Sequence, residues 1–424
     1  MHLILITLAK AQRQFSKDVF TDGLKKVWAV PNLRKLVLSR FISNLGNGLA
    51  PVAISFGVLG LPKGDGKSLS LVMATTSLAL VLFSLVGGVI GDRFPRAWVV
   101  GGSDIVLAIL VIGNGIAYVT GNGSVVLFTV IGFLSGALNG IWYPAMSALT
   151  TDLAEPEILQ DSNAATMLSS NIALILGTAI AGTIVVTIGP GWAIIIDGFT
   201  FLIAGILVYS MRSSTPAMEQ AESSSPWREI RSGWREFRAR RWVWIIVLTF
   251  SFIVAMERAV YSVLGPLVAE KKLGGPKPWS FILATWAIGS VVGVLFAGKL
   301  RPRYPIRLGI LIHIPVFFWF FSLANITNVA LIAVFSFFVG IAFDFAYVLW
   351  ITTLQQHIPK ESLSKVMSYD AFGSLALAPL GIAIAGPIAE KFGESIVINV
   401  IAFAFLACLG CALLSREVRM TEAR

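Results

Sequence analysis

Six charged residues stand inside long apolar stretches of this sequence: Arg40, Asp104, Asp197, Glu257, Arg258 and Asp344. A charge taken out of water is costly, so each of the six needs a partner or a task. Glu257 and Arg258 are chain neighbours, and neighbours on a helix point about 100° apart, so they need not pair. A desolvated carboxylate at Glu257 can load and unload protons or hold a substrate cation. Arg258 can tune that carboxylate or bind an anionic substrate. Asp344 lies in Phe343-Asp344-Phe345-Ala346-Tyr347. An acid flanked by aromatics suits an amphipathic cation, through charge and cation–π attraction. Asp104 can pair with Arg40 or with Arg93 and Arg96, while Arg40, close to the end of its stretch, can snorkel to the surface. Asp197 reads as structural. Glu257, Asp344, Arg258, Asp104 and Arg40 are therefore the candidates for proton coupling or substrate binding.

Other chemistries lack their residues. There are three histidines, with no His-Glu-x-x-His and no Gly-x-Ser-x-Gly, so an enzyme is not expected. No Gly-x-x-x-x-Gly-Lys-[Ser/Thr] occurs, which removes the usual nucleotide loop and leaves an ion gradient or the substrate's own gradient as the energy source. His313 stands alone and reads as a hydrogen-bonded structural histidine. Cys408 and Cys411, three apart in the last apolar stretch, read as packing residues; a metal site would want more ligands. Neither cofactor nor metal is expected.

The elements that must position these charges are spanning helices. The 424 residues have a mean hydropathy of +0.80 and are 56% hydrophobic and 13% charged. A soluble domain carries about 25% charged residues. Apolar runs fall near 36–60, 69–91, 97–119, 124–148, 163–187, 192–211, 242–268, 279–300, 306–324, 328–353, 369–389 and 395–415. Each is long enough to cross a bilayer as a helix with its backbone satisfied internally. Many of the 39 glycines sit within these runs, where small residues let helices pack closely. On this count Glu257 and Arg258 fall in the outer half of span 7. The formal net charge of +10 does not point to nucleic acid, because the basic residues lie between apolar runs rather than on one soluble face.

With both termini cytoplasmic, 25 of the 33 lysines and arginines fall on the inner side and six on the outer, which is the positive-inside pattern. The expected division is a cytoplasmic N-terminal segment 1–32, a six-helix bundle 33–211, a cytoplasmic linker 212–241, a second six-helix bundle 242–415 and a cytoplasmic tail 416–424. His2 to Ala9 is apolar but too short to span, and it lacks the flanks of a signal peptide. The linker's second part, Trp227 to Arg241, spaces its arginines as an amphipathic helix on an anionic leaflet would; a solvated connector fits equally.

The two bundles are related in sequence. A shift of 204 superposes Gly136 on Gly340, Glu157 on Glu361, Gly177 on Gly381 and Gly182 on Gly386. A shift of 210 superposes Ala74-Thr75 on Ala284-Thr285 and Arg93-Phe94-Pro95 on Arg303-Tyr304-Pro305. Six plus six spans in parallel repeat is a transporter architecture, with the substrate site between the halves near the midplane.

Residues 87–97, Gly-Gly-Val-Ile-Gly-Asp-Arg-Phe-Pro-Arg-Ala, resemble the loop 2–3 signature of the major facilitator superfamily. Gly88, Asp92, Arg93 and Arg96 match; Pro95 stands where the family usually has Gly. The resemblance implies that this cluster latches the halves on the cytoplasmic side, with Asp92 facing the start of span 11 near Asp370. Residues 143–207, with Pro144 to Leu149, Glu155 to Asn163, Asn171 to Gly182 and Asp197-Gly198-Phe199-Thr200-Phe201, look like the drug-exporter branch that includes macrolide-efflux and enterobactin-exporter relatives. Arg40 to Gly48 does too. Two positions depart from that branch. Asn47 stands where it often has Asp, so span 1 is not expected to supply the coupling carboxylate. Span 5 has Gly177-Thr178 where exporters have a Gly-Pro pair, and Pro379 and Pro387 gather in span 11 instead.

The resemblance implies an all-α membrane protein of about twelve transmembrane helices in the major facilitator fold, in the inner or plasma membrane, monomeric, with lipids, protons and a small-molecule substrate as its partners. The expected function is proton-coupled efflux of amphipathic, drug-like small molecules by alternating access. An uptake symporter or uniporter on the same fold, or a lipid or lysolipid flippase, are the alternatives.

Overall fold

The computed structural model describes residues 23–211 and 234–423, leaving aside the side chains of residues 85, 86, 88, 89, 91–93, 360, 361 and 364. The expected N-terminal segment up to residue 22 and linker residues 212–233 lie outside the described residues, as do the side chains of Gly88, Asp92 and Arg93.

Among the described residues, twelve helices are long and apolar enough to cross a membrane, as the sequence predicts. In the first half they are α1 (Pro31–Leu59), α2 (Gly66–Arg93), α3 (Arg96–Val119), α4 (Val125–Leu153), α5 (Leu159–Ile188) and α6 (Pro190–Tyr209). In the second half they are α7 (Arg241–Leu273), α8 (Pro276–Ala297), α9 (Pro305–Asn325), α10 (Val329–His357), α11 (Lys360–Leu375 and Ala378–Phe392) and α12 (Glu394–Leu414). A short helix, α13 (Arg416–Met420), follows. Local chemistry sets the ends. Pro31, Pro190, Pro276 and Pro305 open their helices, where a missing N–H costs nothing. Asn328 and Ser124 cap α10 and α4 with their side chains.

Asp65 caps α2, accepting from the Ser68 backbone N–H and hydroxyl, each at 2.7 Å. Burial pushes its carboxyl up, but the Ser68 bonds and neighbouring groups outweigh that and hold it below its ordinary value. Its contribution is therefore complete above the unfolded carboxylate pKa, near 4, and is lost as pH falls through the lower folded value. Asp65→Ala should cost about 0.5–2 kcal/mol. Thermal melts should show that deficit at neutral pH and a narrowing of it in strong acid.

Three helices are not continuous. α9 is interrupted at Ile312–His313 ahead of Pro315, and α11 at Ala376–Leu377 ahead of Pro379, because proline removes a donor and crowds the preceding turn. α7 carries two π turns, Val260–Leu264 and Ala269–Leu273.

The repeat holds in the packing. Within the first half, a side chain on Gly136 (α4) would strike the Thr76 carbonyl of α2; on the equivalent Gly340 (α10) it would strike the Trp286 carbonyl of α8. Thr76 and Trp286 are themselves 210 apart. Gly177 (α5) lies against Leu45 of α1, and Gly381 (α11) against Ala255 of α7, again at the same offsets. Single positive-φ glycines turn α5 into α6 and α11 into α12: Gly189 at φ 91° and Gly393 at φ 84°.

The halves meet mainly through α2 with the second piece of α11, and α5 with α8. These contacts gather at the end carrying the α1–α2, α5–α6, α7–α8 and α11–α12 connections. There Gly386 rests on Gly66 and Gly182 on Pro276. Gly386 N donates to Ser70 Oγ at 2.8 Å, the equivalent Ser280 hydroxyl donates to the Thr178 carbonyl, and Lys67 pairs with Glu390 at 2.7 Å.

Candidate functional site

The α7 helix carries the central charge pair. It continues through Leu273, beyond the apolar run, so Glu257 and Arg258 stand at its middle rather than in its outer half. They do pair, with Arg258 Nε 3.3 Å from Glu257 Oε2. The two side chains differ sharply in access: Glu257 is 5% exposed and Arg258 is 49% exposed. The carboxylate is thus covered and the arginine side chain is half open. The π turn that follows at once brings Tyr261 beside it, 5.7 Å from guanidinium carbon to ring centroid. π turns re-aim the side chains around them and recur at functional sites.

Two tyrosines stand at equivalent positions of the repeat. Tyr143 on α4 and Tyr347 on α10 are 204 apart and each is 61% exposed. Their surroundings are opposite in sign. Tyr143 lies within electrostatic reach of Arg40 and of Arg258 from the other half. Tyr347 lies within reach of Asp344 and Asp370. The Ser290 hydroxyl of α8 is turned to Asp344, which is only partly buried.

Asp370 is placed within its own half. Oδ2 accepts from Trp350 Nε1 at 2.9 Å and Oδ1 from the Ser374 hydroxyl at 3.4 Å. It stands in the wall of a cavity of about 350 Å³ between α7, α10 and α11, whose other walls include Phe250, Phe343, Tyr347 and Trp350. A larger groove of about 630 Å³ on α7, α11 and α12 is lined by apolar residues throughout and carries no chemistry.

Arg40 is buried rather than snorkelled, its guanidinium 4.5 Å above the Trp142 ring. Asp104 is within reach of that guanidinium and of the Trp142 indole, while Asp104 Oδ2 and Ser43 Oγ find no hydrogen-bond partner among the described residues. Arg96 binds Asp152 at the foot of α4, 2.5 Å apart, a tie inside the first half. Asp197 is buried against Gly46 of α1, with Oδ1 unpartnered. His313 stands at the α9 break, where its Nδ1 donates to the Gly309 carbonyl at 2.7 Å, between the rings of Phe250 and Phe343.

The structure thus sets Asp344 and Asp370 beside Tyr347, Arg258 and Arg40 beside Tyr143, and Asp104 within reach of Arg40. Sequence reasoning did not pair Tyr143 with Tyr347 and did not foresee the Lys67–Glu390 tie. The first had a signal, since the 204 shift maps Tyr143 onto Tyr347; the second had none.

The sequence profile of the Major Facilitator Superfamily matches residues 36–382. Among curated proteins, the enterobactin exporter EntS of Escherichia coli O1:K1 is 24% identical over 394 residues, 89% of this chain and 92% of that protein. The uncharacterized MFS-type transporter YkuC of Bacillus subtilis is 24% identical over 303 residues, 68% of each chain. Among solved structures, the nucleoside transporter NupG superposes with a TM-score of 0.72 at 14% identity, covering 90% of this chain and 98% of that one. The peptide transporter POT in complex with sulfate gives 0.71 at 14% identity, covering 93% and 96%. At such identities the structures speak for the fold.

Proposed function

Because the chain belongs to the Major Facilitator Superfamily, and is thereby a multi-pass inner-membrane transporter rather than an enzyme, we propose that it exports amphipathic small molecules against proton entry. Its two halves would rock about the central cavity, with both termini cytoplasmic. The observation that supports this reading is the set of contacts that join the halves at one end. Lys67–Glu390, Ser70–Gly386 and Ser280–Thr178 join the halves at one end, which the lysine and arginine distribution makes the outer one. Among the described residues the outer piece of α11 packs on α2, and halves held together at that end would open toward the cytoplasm, where an exporter loads. Efflux is also the activity named for EntS, a relative across nine-tenths of the chain.

The proton carrier in this reading is Glu257 or Asp344. Glu257 is covered and held by one arginine; Asp344 is half-open beside Tyr347. Proteoliposomes with an imposed pH gradient test it. Wild type should move amphipathic dyes only with the gradient, and Glu257→Gln or Asp344→Asn should abolish that dependence, by about tenfold or more in initial rate. Movement that ignores the gradient and survives both changes overturns the coupling. Inward movement in vesicles of known orientation would instead favour uptake, which the departures at Asn47 and Thr178 also fit.

A further inference from the structure

We infer that Arg258 is an anion-binding site, and that the transported molecule carries an acidic group, such as a carboxylate, sulfonate or phosphate, on an aromatic body. The inference rests on the exporter reading and adds the sign of the substrate's charge.

An arginine whose only task is to neutralise a buried acid should be buried with it. Here the acid is covered and the base is not. Glu257 is 5% exposed against 49% for Arg258, and the pair touches through Nε, the inner nitrogen of the guanidinium, at 3.3 Å. That distance is long for a charge-assisted bond. A guanidinium offers five donors in a planar fork that fits a carboxylate or phosphate, and Nε is one of the five. Half the side chain remains open to a second anion.

The neighbours supply an aromatic setting. Tyr261 lies beside the guanidinium, and Tyr261 meets Trp286 edge-on at 5.5 Å, with Trp286 stacked on Phe343 at 6.0 Å. Tyr143 approaches from the other half, with Arg40 behind it. The wall made by α1, α4 and α7 is therefore cationic where it is open, because Glu257 and Asp104 are both covered. The acids Asp344 and Asp370 stand around Tyr347, on α10 and α11. A molecule whose ring packs on the exposed Tyr143 would reach Arg258 with its acidic end. The repeat makes the same point: the position equivalent to Arg258 in α1 is Gly48, which lies tight against the α5 backbone. The guanidinium is an addition to the second half, and the helix packing does not need it.

Fluorescein and rhodamine 123 share a xanthene ring system and differ in sign of charge, so they separate charge recognition from size. Binding to the protein in nanodiscs, read by dye polarisation, comes first; gradient-driven transport in proteoliposomes comes second. Wild type should bind fluorescein at least about tenfold more tightly than rhodamine 123. Arg258→Gln should weaken fluorescein about ten- to hundredfold and leave rhodamine 123 within about twofold; Arg258→Lys should retain part of the affinity. Glu257→Gln frees Nε and should tighten fluorescein. The double change Glu257→Gln with Arg258→Gln leaves no unpaired buried charge, and should fold and still fail to bind fluorescein. Equal binding of the two dyes by wild type, preference for rhodamine 123, no binding of either, or equal weakening of both by Arg258→Gln each overturns the anion site. Rhodamine 123 moved with the gradient and fluorescein ignored would overturn the anion site while leaving the exporter standing. Fluorescein bound through Arg258 but never moved by the gradient would leave the site and overturn the exporter.

Discussion

Gly386→Leu should hold the two halves apart at their closed end and cut transport by about a hundredfold, with little change in thermal stability. A side chain at residue 386 would be driven into the Gly66 carbonyl and onto the Ser70 hydroxyl, and the Gly386 N–H would lose its 2.8 Å bond to Ser70 Oγ. These are contacts between halves, so parting them leaves each bundle's own packing intact. A rocking transporter must visit this closed state once per cycle. Each 1.4 kcal/mol added to it lowers its population tenfold, and a backbone clash with a lost hydrogen bond supplies about two such steps. The check is a cross-link by a short bis-methanethiosulfonate reagent between Lys67→Cys and Glu390→Cys, whose long native side chains now meet at 2.7 Å, in a protein whose Cys408 and Cys411 have been changed to serine. The cross-link should form readily with Gly386 and poorly with leucine. Gly182→Leu, its repeat equivalent against Pro276, should behave alike. Full transport and an unchanged cross-link in Gly386→Leu would mean that this end does not close as argued.

The spans were legible because a bilayer demands long apolar runs, and nothing else in a sequence looks like them. Where charge interrupts the run, legibility ended. Glu270, Lys271 and Lys272 lie in the last π turn of α7, past the point where hydropathy stops, and Lys271 is tied to Glu394 at the head of α12. The missed turn and a half is what displaced Glu257 and Arg258 from mid-helix in the sequence reading. A one-residue π insertion leaves no mark in composition, so the placing of Tyr261 beside Arg258 could not be read either. The candidate charges themselves were legible, because an ionisable group in an apolar run is conspicuous; which of each pair is covered was not, since that depends on the facing helices.

The repeat carries more of the site than any motif does. The glycines at matched positions make the helix crossings, and they are alike in both halves. The charges stand where the halves differ: Glu257 and Arg258 against Asn47 and Gly48, Asp344 against Gly140, Asp370 against Thr166. The α1 carboxylate that the exporter resemblance leads one to expect is absent at Asn47, and its equivalent in α7 is Glu257. A fold built from two similar halves can move its ionisable residue from one half to the other without altering the crossings that hold it.

Those crossings predict the opposite behaviour to the interface glycines. Gly340→Leu should destabilise the protein itself. Gly340 lies on the Trp286 carbonyl and the Ser290 N–H, Gly289 on the Phe337 carbonyl, and Gly293 on Ile341, so α8 and α10 touch backbone to backbone over about two turns of α8. Lipid is as apolar as leucine, and such helices associate through close packing and polar contacts rather than through water exclusion. A leucine here must force the helices apart and forfeit the neighbouring contacts, a cost of about 1–3 kcal/mol or more. It would also draw Ser290 from Asp344, one turn further along α10, so transport should fail even in the fraction that folds. Thermal melts and the monodisperse yield in detergent are the readouts. Gly340→Leu and its equivalent Gly136→Leu should both fall well below wild type, whereas Gly386→Leu should not. Were all three to melt alike, the division of the glycines into those that build each half and those that let the halves close would have to be abandoned.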